Sequence, residues 1–208
     1  MSRLILASSS ASRARLLREA GVRFEVVPAH VDEAAFKEAA RAEGLGALDV
    51  AMALAELKAG RISARFPEAL VIGADQMLVA DGRWYDKPRD LAEARAQLLS
   101  LSGAREELPT AVVVAKEGGV IWRHLARPRI RLRSLTPELI ETYLAAEPEE
   151  AVLSAVGAIR IEGPGIQLIS AIEGDFFAIL GLPLLPLLAF LRDHLKREWI
   201  DGEGHDIS

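Results

Sequence analysis

"LILASSSASRARLL" (residues 4–17) runs a short apolar segment straight into three serines and then into residues of helical character. The apolar run suits a buried strand, and the small polar residues behind it suit a turn that opens a helix. Strands that alternate with helices make α/β proteins, so this stretch predicts the fold class. The same turn can aim backbone N–H groups, hydroxyls and the positive end of the helix dipole at one point, which favours phosphate. Arg13, one turn into the helix, adds a planar charged donor. On local spacing two readings stay open: Ser10 merely caps the helix and Arg13 is solvated, or Ser8, Ser10 and Arg13 hold an anion. The absence of Gly-x-x-x-x-Gly-Lys excludes a Walker loop.

Outward from this stretch the alternation continues. The helix is expected from about Ala11 to Ala20, stopped by Gly21, and "VRFEVVPA" (22–29) reads as a second strand ending at Pro28. "HVDEAAF" opens a polar loop or a helix start. Val50, Leu54, Leu57 and Ile62 give an amphipathic helix over roughly 48–64. "ALVIGADQMLVADGRWYDKP" (69–88) begins as a continuous apolar strand, meets Gly73 and the isolated Asp75, and turns at Asp81-Gly82. A helix over 91–101 follows. Residues 110–135 read as a long hairpin turning at Gly118-Gly119, with Arg127, Arg129, Arg131 and Arg133 on one face of its second strand. Thr136 and Pro137 start another helix. Residues 162–183 offer strands punctuated by glycine, and a helix from Leu184 to Lys196 closes the chain. The expected organisation is one α/β domain over 1–198, with 199–208 as a flexible tail.

The 208 residues allow one sizeable core or two lobes. A formal net charge of -5 argues against nonspecific nucleic-acid binding, which needs a basic face, while leaving room for a local anion site. Without cysteine there are no disulfides, thiolate metal sites or cysteine nucleophiles, and a reducing cytoplasm is the expected location. No signal peptide is expected at the amino end. "FFAILGLPLLPLLAFL" (176–191) is interrupted by Gly181, Pro183 and Pro186 and falls short of the ~18–20 residues that span a bilayer, so it reads as core.

Asp75 follows the buried run "ALVIGA", where a carboxylate is costly unless it meets a metal, a cation or a catalytic proton. A structural buried aspartate is the competing reading. Asp32 and Glu33 follow the second strand, where an exposed turn is the ordinary reading of the pair. Lys58 and Lys87 supply positive charge that, with Arg13, would outline a polyphosphate site, though solvation is the ordinary fate of a lysine. The histidines lack metal-ligand spacing and no Gly-x-Ser-x-Gly elbow is present. Hydrolysis would therefore use a metal-bound or carboxylate-activated water.

Taken in order, "LILASSSASR", "VDE", "ALAELKA", "GADQ", "DKP" with "LLSLSG", and "EGDFFAILGLPL" resemble the Maf family of nucleoside triphosphate pyrophosphatases, over roughly Leu4 to Leu191. The resemblance implies a mixed, twisted sheet flanked by helices, with two lobes and a central cleft as in the inosine triphosphate pyrophosphatases. It implies hydrolysis of a nucleoside triphosphate to its monophosphate and pyrophosphate, with Mg²⁺ or Mn²⁺, in a house-cleaning role. Ser8, Ser10 and Arg13 match the family's phosphate loop, Glu33 and Asp75 its acidic metal or base positions, and Lys58 and Lys87 its phosphate-contacting lysines. A homodimer is what the family suggests, with neither nucleic acid nor membrane as partner. The rival expectation is a nucleotide-binding regulator of cell division acting through partner contacts.

Branches of that family differ at three positions near the base. The dTTP and UTP hydrolases have arginine, threonine and glutamine there, and the 7-methyl-GTP branch has tryptophan, glutamine and glutamate. The matching residues are Ser12, Gln76 and Glu162, two of which side with the 7-methyl-GTP branch. A carboxylate at 162 suits the N–H donors of guanine's Watson–Crick edge. Ala11 stands where the family usually has proline, Asp86 where it has glycine, and "GAREELPTAV" (103–112) lacks the histidine common in the pyrimidine branch.

Overall fold

Strand β1 (Leu4–Leu6) is buried throughout and passes through the serines into α1 (Ala11–Glu19), as its sequence predicts. In chain order there follow β2 (Glu25–Val26), α2 (Glu33–Ala42), α3 (Ala47–Ser63), β3 (Leu70–Gln76), β4 (Leu78–Ala80), β5 (Arg83–Tyr85), α4 (Leu91–Ser100), β6 (Arg105–Glu107), β7 (Thr110–Lys116), β8 (Gly119–Ala126) and β9 (Arg129–Leu132). Helices α5 (Pro137–Ala146) and α6 (Glu149–Leu153), two short 3-10 turns at 156–158 and 164–168, β10 (Ile169–Glu173), α7 (Phe176–Ile179) and α8 (Leu184–His194) complete the chain. This computed structural model describes residues 3–195. The expected tail over 199–208, Lys196 and His205 lie outside the described residues.

The chain divides into two compact units. The first takes the chain up to Asp75, Ala111–Leu125, and the chain from Gly181 on; the second takes Gln76–Thr110 and Ala126–Leu180. Each is built around its own sheet, where the sequence predicts a single mixed one. The expected long hairpin divides for the same reason: its second strand ends at Ala126, Pro128 withholds a backbone donor, and β9 pairs with β6 and β10 instead.

In the first unit the strand order is β2-β1-β3-β7-β8. β1 runs parallel to both β2 and β3, with Ile5 opposite Glu25 and Val71. Parallel neighbours need a crossover, which α1 supplies between β1 and β2, and α2 with α3 between β2 and β3. β3 and β7 are almost continuously buried, which is why "LVIGAD" and "TAVVVA" read as apolar runs without alternation. The contact of α3 with β3 is set by Gly73. A Cβ there would collide with the Ala55 carbonyl oxygen and lie 2.7 Å from the Ala59 Cβ. Glycine on the strand and two alanines on the helix thus let one backbone rest on the other. Val50, Leu54 and Ile62 are buried as the expected amphipathic face has them, but Leu57 is 42% exposed and Lys58, only 7% exposed, takes the buried side instead.

The second unit has the antiparallel order β10-β9-β6-β4-β5. Leu78, Leu98, Leu101, Ile130, Leu132, Ile140, Tyr143 and Leu168 are among the buried side chains of its core. In the first unit, of the two readings of "HVDEAAF" the helix start holds: Asp32 caps α2 through the Ala35 N–H. Within the stretch 162–183, expected as strands, Pro164–Leu168 form a 3-10 turn and Phe176–Ile179 the helix α7, leaving β10 as its strand. No helix among the described residues is long and apolar enough to cross a membrane.

Candidate active site

At the carboxyl end of β3, Asp75 is 3% exposed and its Oδ1 accepts from Lys58 Nζ at 2.6 Å. The same ammonium lies 2.6 Å from Glu33 Oε1. β3, the first turn of α2 and the buried side of α3 therefore each contribute one member of this trio. Two carboxylates around one ammonium offset its burial, which otherwise costs several kcal/mol for an ion, about the scale of a whole domain's stability margin. Asp75 Oδ2 is buried and takes no hydrogen bond among the described residues. Such an orphan is expensive in a purely structural aspartate, so the atom needs a ligand or a proton.

The serine turn lies in the same unit. Ser10 is the N-cap of α1, its Oγ accepting from the Arg13 N–H at 3.4 Å. Ser8 Oγ accepts twice, from the Ser10 N–H at 3.2 Å and from Arg13 Nη1 at 3.2 Å. With both lone pairs engaged, its own proton is left to donate. Arg13 is buried, against the reading that leaves it solvated, and its Nε donates to the Gly181 carbonyl at 2.7 Å. Burial lowers Arg13 from the usual guanidinium range, while the charges of Asp75 and Glu33 push it back up. Cap and cationic loop thus coexist: Ser10 serves the helix, and Ser8 with Arg13 forms a donor pair beside it. Ser12 is half-buried in the first turn.

Gln76, Lys87 and Glu162 belong to the second unit. Gln76 Nε2 donates to Thr110 Oγ1 at 3.0 Å, to the Ala178 carbonyl at 2.8 Å and to the Ile179 carbonyl at 3.1 Å. Lys87 is exposed on the segment between β5 and α4, and Glu162 is half-buried just before the second 3-10 turn. The stretch that carries Glu162 is pinned by Tyr143, whose Oη donates to the Ala158 carbonyl at 2.9 Å and accepts from the Arg160 N–H at 3.0 Å. Burial pushes that phenol up to about 12, so it keeps the proton it donates. Arg160 Nη1 pairs with the buried Glu147 Oε2 at 2.8 Å. A Cβ at Gly163 would collide with Glu147 Oε1 and lie 3.0 Å from Arg160 Nη1, which explains the glycine after Glu162.

A divalent cation is tested by the donors present. No group of three or more metal-type side chains occurs among the described residues. Glu33 and Asp75 offer hard oxygens, and Asp75 Oδ2 is buried and unpartnered. Magnesium commonly takes one or two carboxylates together with water and substrate phosphates, so this donor set fits.

Thr110 and Gly181 escape the sequence reading. Thr110 sits in an apolar run and resembles a strand residue, and Gly181 contributes only a carbonyl. Their one signal is position, immediately before "AVVVA" and in the "GLP" close.

Comparison with known proteins agrees with this arrangement of motifs. The family model described as Maf-like protein matches residues 3–194. A nucleoside triphosphate pyrophosphatase of Granulibacter bethesdensis is 52% identical over 192 residues, covering 92% of this chain and 97% of that protein. One of Rhodospirillum rubrum is 51% identical, covering 92% of this chain and 94% of that protein. A 7-methyl-GTP pyrophosphatase of Rhizobium etli is 46% identical, covering 92% of this chain and 96% of that protein.

Proposed function

The chain belongs to the Maf family, and from that premise we propose that it is a nucleoside triphosphate pyrophosphatase, a hydrolase that yields a nucleoside monophosphate and pyrophosphate. The observation that carries the reading is the buried Asp75, with one oxygen on Lys58 and the other unpartnered.

In this reading Asp75 Oδ2 accepts a proton from the water that attacks the α-phosphorus. Lys58, clasped by Glu33 and Asp75, fixes the carboxylate's rotamer so that Oδ2 keeps its direction. Ser8 donates its remaining hydroxyl proton, and Arg13 the N–H groups not spent on Ser8 and Gly181, to phosphate oxygens. Ser10 holds the turn in shape, and Lys87 neutralises charge growing on the leaving pyrophosphate. Mg²⁺ or Mn²⁺ held by Glu33 and Asp75 would supply Lewis-acid polarisation of the phosphate. Gln76, Glu162 and Ser12 are assigned to the base, and the acceptor oxygens of the first two favour a guanine-type edge. The likeness to inosine triphosphate pyrophosphatases, the cytoplasmic house-cleaning role and the homodimer belong to the same proposal.

The test is incubation with dTTP, UTP, CTP, GTP and 7-methyl-GTP in Mg²⁺ or chelator, reading pyrophosphate and orthophosphate separately. Pyrophosphate in Mg²⁺ alone is expected, with the guanine nucleotides preferred. Orthophosphate would identify a terminal phosphatase, and no release from any nucleotide would overturn the enzyme reading.

A further inference from the structure

The Gln76 amide is held in one orientation. Its Nε2 faces the carbonyl oxygens of Ala178 and Ile179 at 2.8 and 3.1 Å. Carbonyl oxygens only accept, so the atom opposite them must be the nitrogen. Turning the amide over would set its oxygen against two others. Thr110 completes the clamp. Its hydroxyl, fully buried, carries one proton, for which the Leu108 carbonyl at 2.8 Å and the Ala178 carbonyl at 3.1 Å compete. Whichever receives it, Oγ1 has only lone pairs to offer Gln76 at 3.0 Å. Both hydrogens of Nε2 are then consumed. What the half-buried Gln76 has left to offer is Oε1, since the three side-chain hydrogen bonds given above all run through Nε2.

We propose that Gln76 recognises its substrate as an acceptor only, reading an N–H on the Watson–Crick edge of the base, and that Thr110 is the positioning residue that imposes this polarity. The proposal rests on the pyrophosphatase reading above and on the placement of Gln76 at the base. An unclamped glutamine can turn its amide to meet either a donor or an acceptor, whereas a clamped one discriminates. A base presenting a lone pair there leaves two oxygen or nitrogen acceptors facing each other, which costs affinity without any steric clash.

Two measurements on the full chain test it, with Thr110→Val, which keeps the shape and removes the hydroxyl, and Thr110→Ser, which keeps the hydroxyl. Hydrogen exchange of the Gln76 side-chain amide, followed by NMR without nucleotide, is expected to be slow in the parent and in Thr110→Ser and faster in Thr110→Val. Equal exchange in all three overturns the clamp, whether or not the protein hydrolyses anything. The second measurement compares kcat/KM for GTP and inosine triphosphate, which carry a hydrogen on N1, with purine riboside triphosphate, which does not. The parent is expected to prefer the first two. Thr110→Val should narrow that preference by about five- to tenfold, through KM, and Thr110→Ser should retain it. An equal loss on all three nucleotides means a merely structural threonine and overturns the proposal. If Thr110→Val does not fold, Gln76→Leu takes its place, and an unchanged preference in that variant likewise overturns it. No pyrophosphate from any nucleotide with the amide still protected would sink the enzymatic reading and the role at the base, while leaving the clamp itself demonstrated.

Discussion

Lys58 Nζ stands 2.6 Å from Asp75 Oδ1 and 2.6 Å from Glu33 Oε1, so that one ammonium ties the end of β3 to the start of α2. Asp75→Asn keeps the shape of the side chain and removes its charge. The variant is expected to fold and to lose on the order of 10²–10⁴ in turnover, the usual contribution of a positioned base. Unchanged pyrophosphate release would eliminate Asp75 as proton acceptor.

Arg13→Ala is expected to lower both activity and stability. The sequence alone leaves Arg13 open between a solvated residue and an anion ligand, and neither reading gives it a part in holding the fold. In the structure its Nε holds the Gly181 carbonyl and its Nη1 holds Ser8. Truncation leaves that carbonyl without its donor, at a cost of roughly 1–3 kcal/mol. Urea unfolding read beside pyrophosphate release separates the effects, and an unshifted midpoint would contradict the structural half.

Gly73→Ala is expected to be severe. Its methyl would meet the Ala55 carbonyl and the Ala59 Cβ, both on α3, which has no side chain there to move aside. Overpacking of this kind costs about 1–3 kcal/mol or more. Because Lys58 rides on the same helix, activity should fall further than stability. A variant with parental thermal stability and turnover would show that α3 shifts freely.

Glu106 makes stability depend on pH. It lies fully buried on β6, opposite Ala80 and Ile130, and neither carboxyl oxygen has a hydrogen-bond partner among the described residues. Burial pushes its pKa from 4.5 up to about 8. Between those values the folded chain keeps a proton that the unfolded chain has released, so stability falls as pH rises. The contribution is whole below about 4.5, is lost through about 8, and levels off above that. Glu106→Gln should flatten this slope in chemical unfolding from pH 5 to 9. An identical slope in the variant would assign it to other groups.

The first strand and helix were legible because both ends of the turn carry local chemistry: a buried apolar triplet before it and a serine cap within it. Asp75 stood out because a carboxylate in an apolar run demands a partner, and Lys58 is that partner. Three features were hidden for physical reasons. Helix α2 depends on an Asp32 cap that reads equally well as a turn residue. The separation into two sheets follows from β9 choosing β6 and β10, a long-range pairing with no local signature beyond Pro128. Glu106 and Thr110 look like ordinary strand positions, since the cost of burying a carboxyl, or the value of burying a hydroxyl, is decided by what packs around it.

The missing side chain at Gly73 also bears on how this protein can change over time. Most helix-to-strand spacings rest on interlocking apolar side chains and drift by fractions of an ångström as those residues are exchanged. Between α3 and β3 the Gly73 backbone comes up against the Ala55 carbonyl and against Ala59, leaving no room for a side chain at 73. Lys58 sits on the same helix as Ala55 and Ala59, and Asp75 two residues beyond Gly73 on the same strand, so this close approach lies next to the Lys58–Asp75 pair. A change at position 73 is therefore felt first at the spacing on which the chemistry depends.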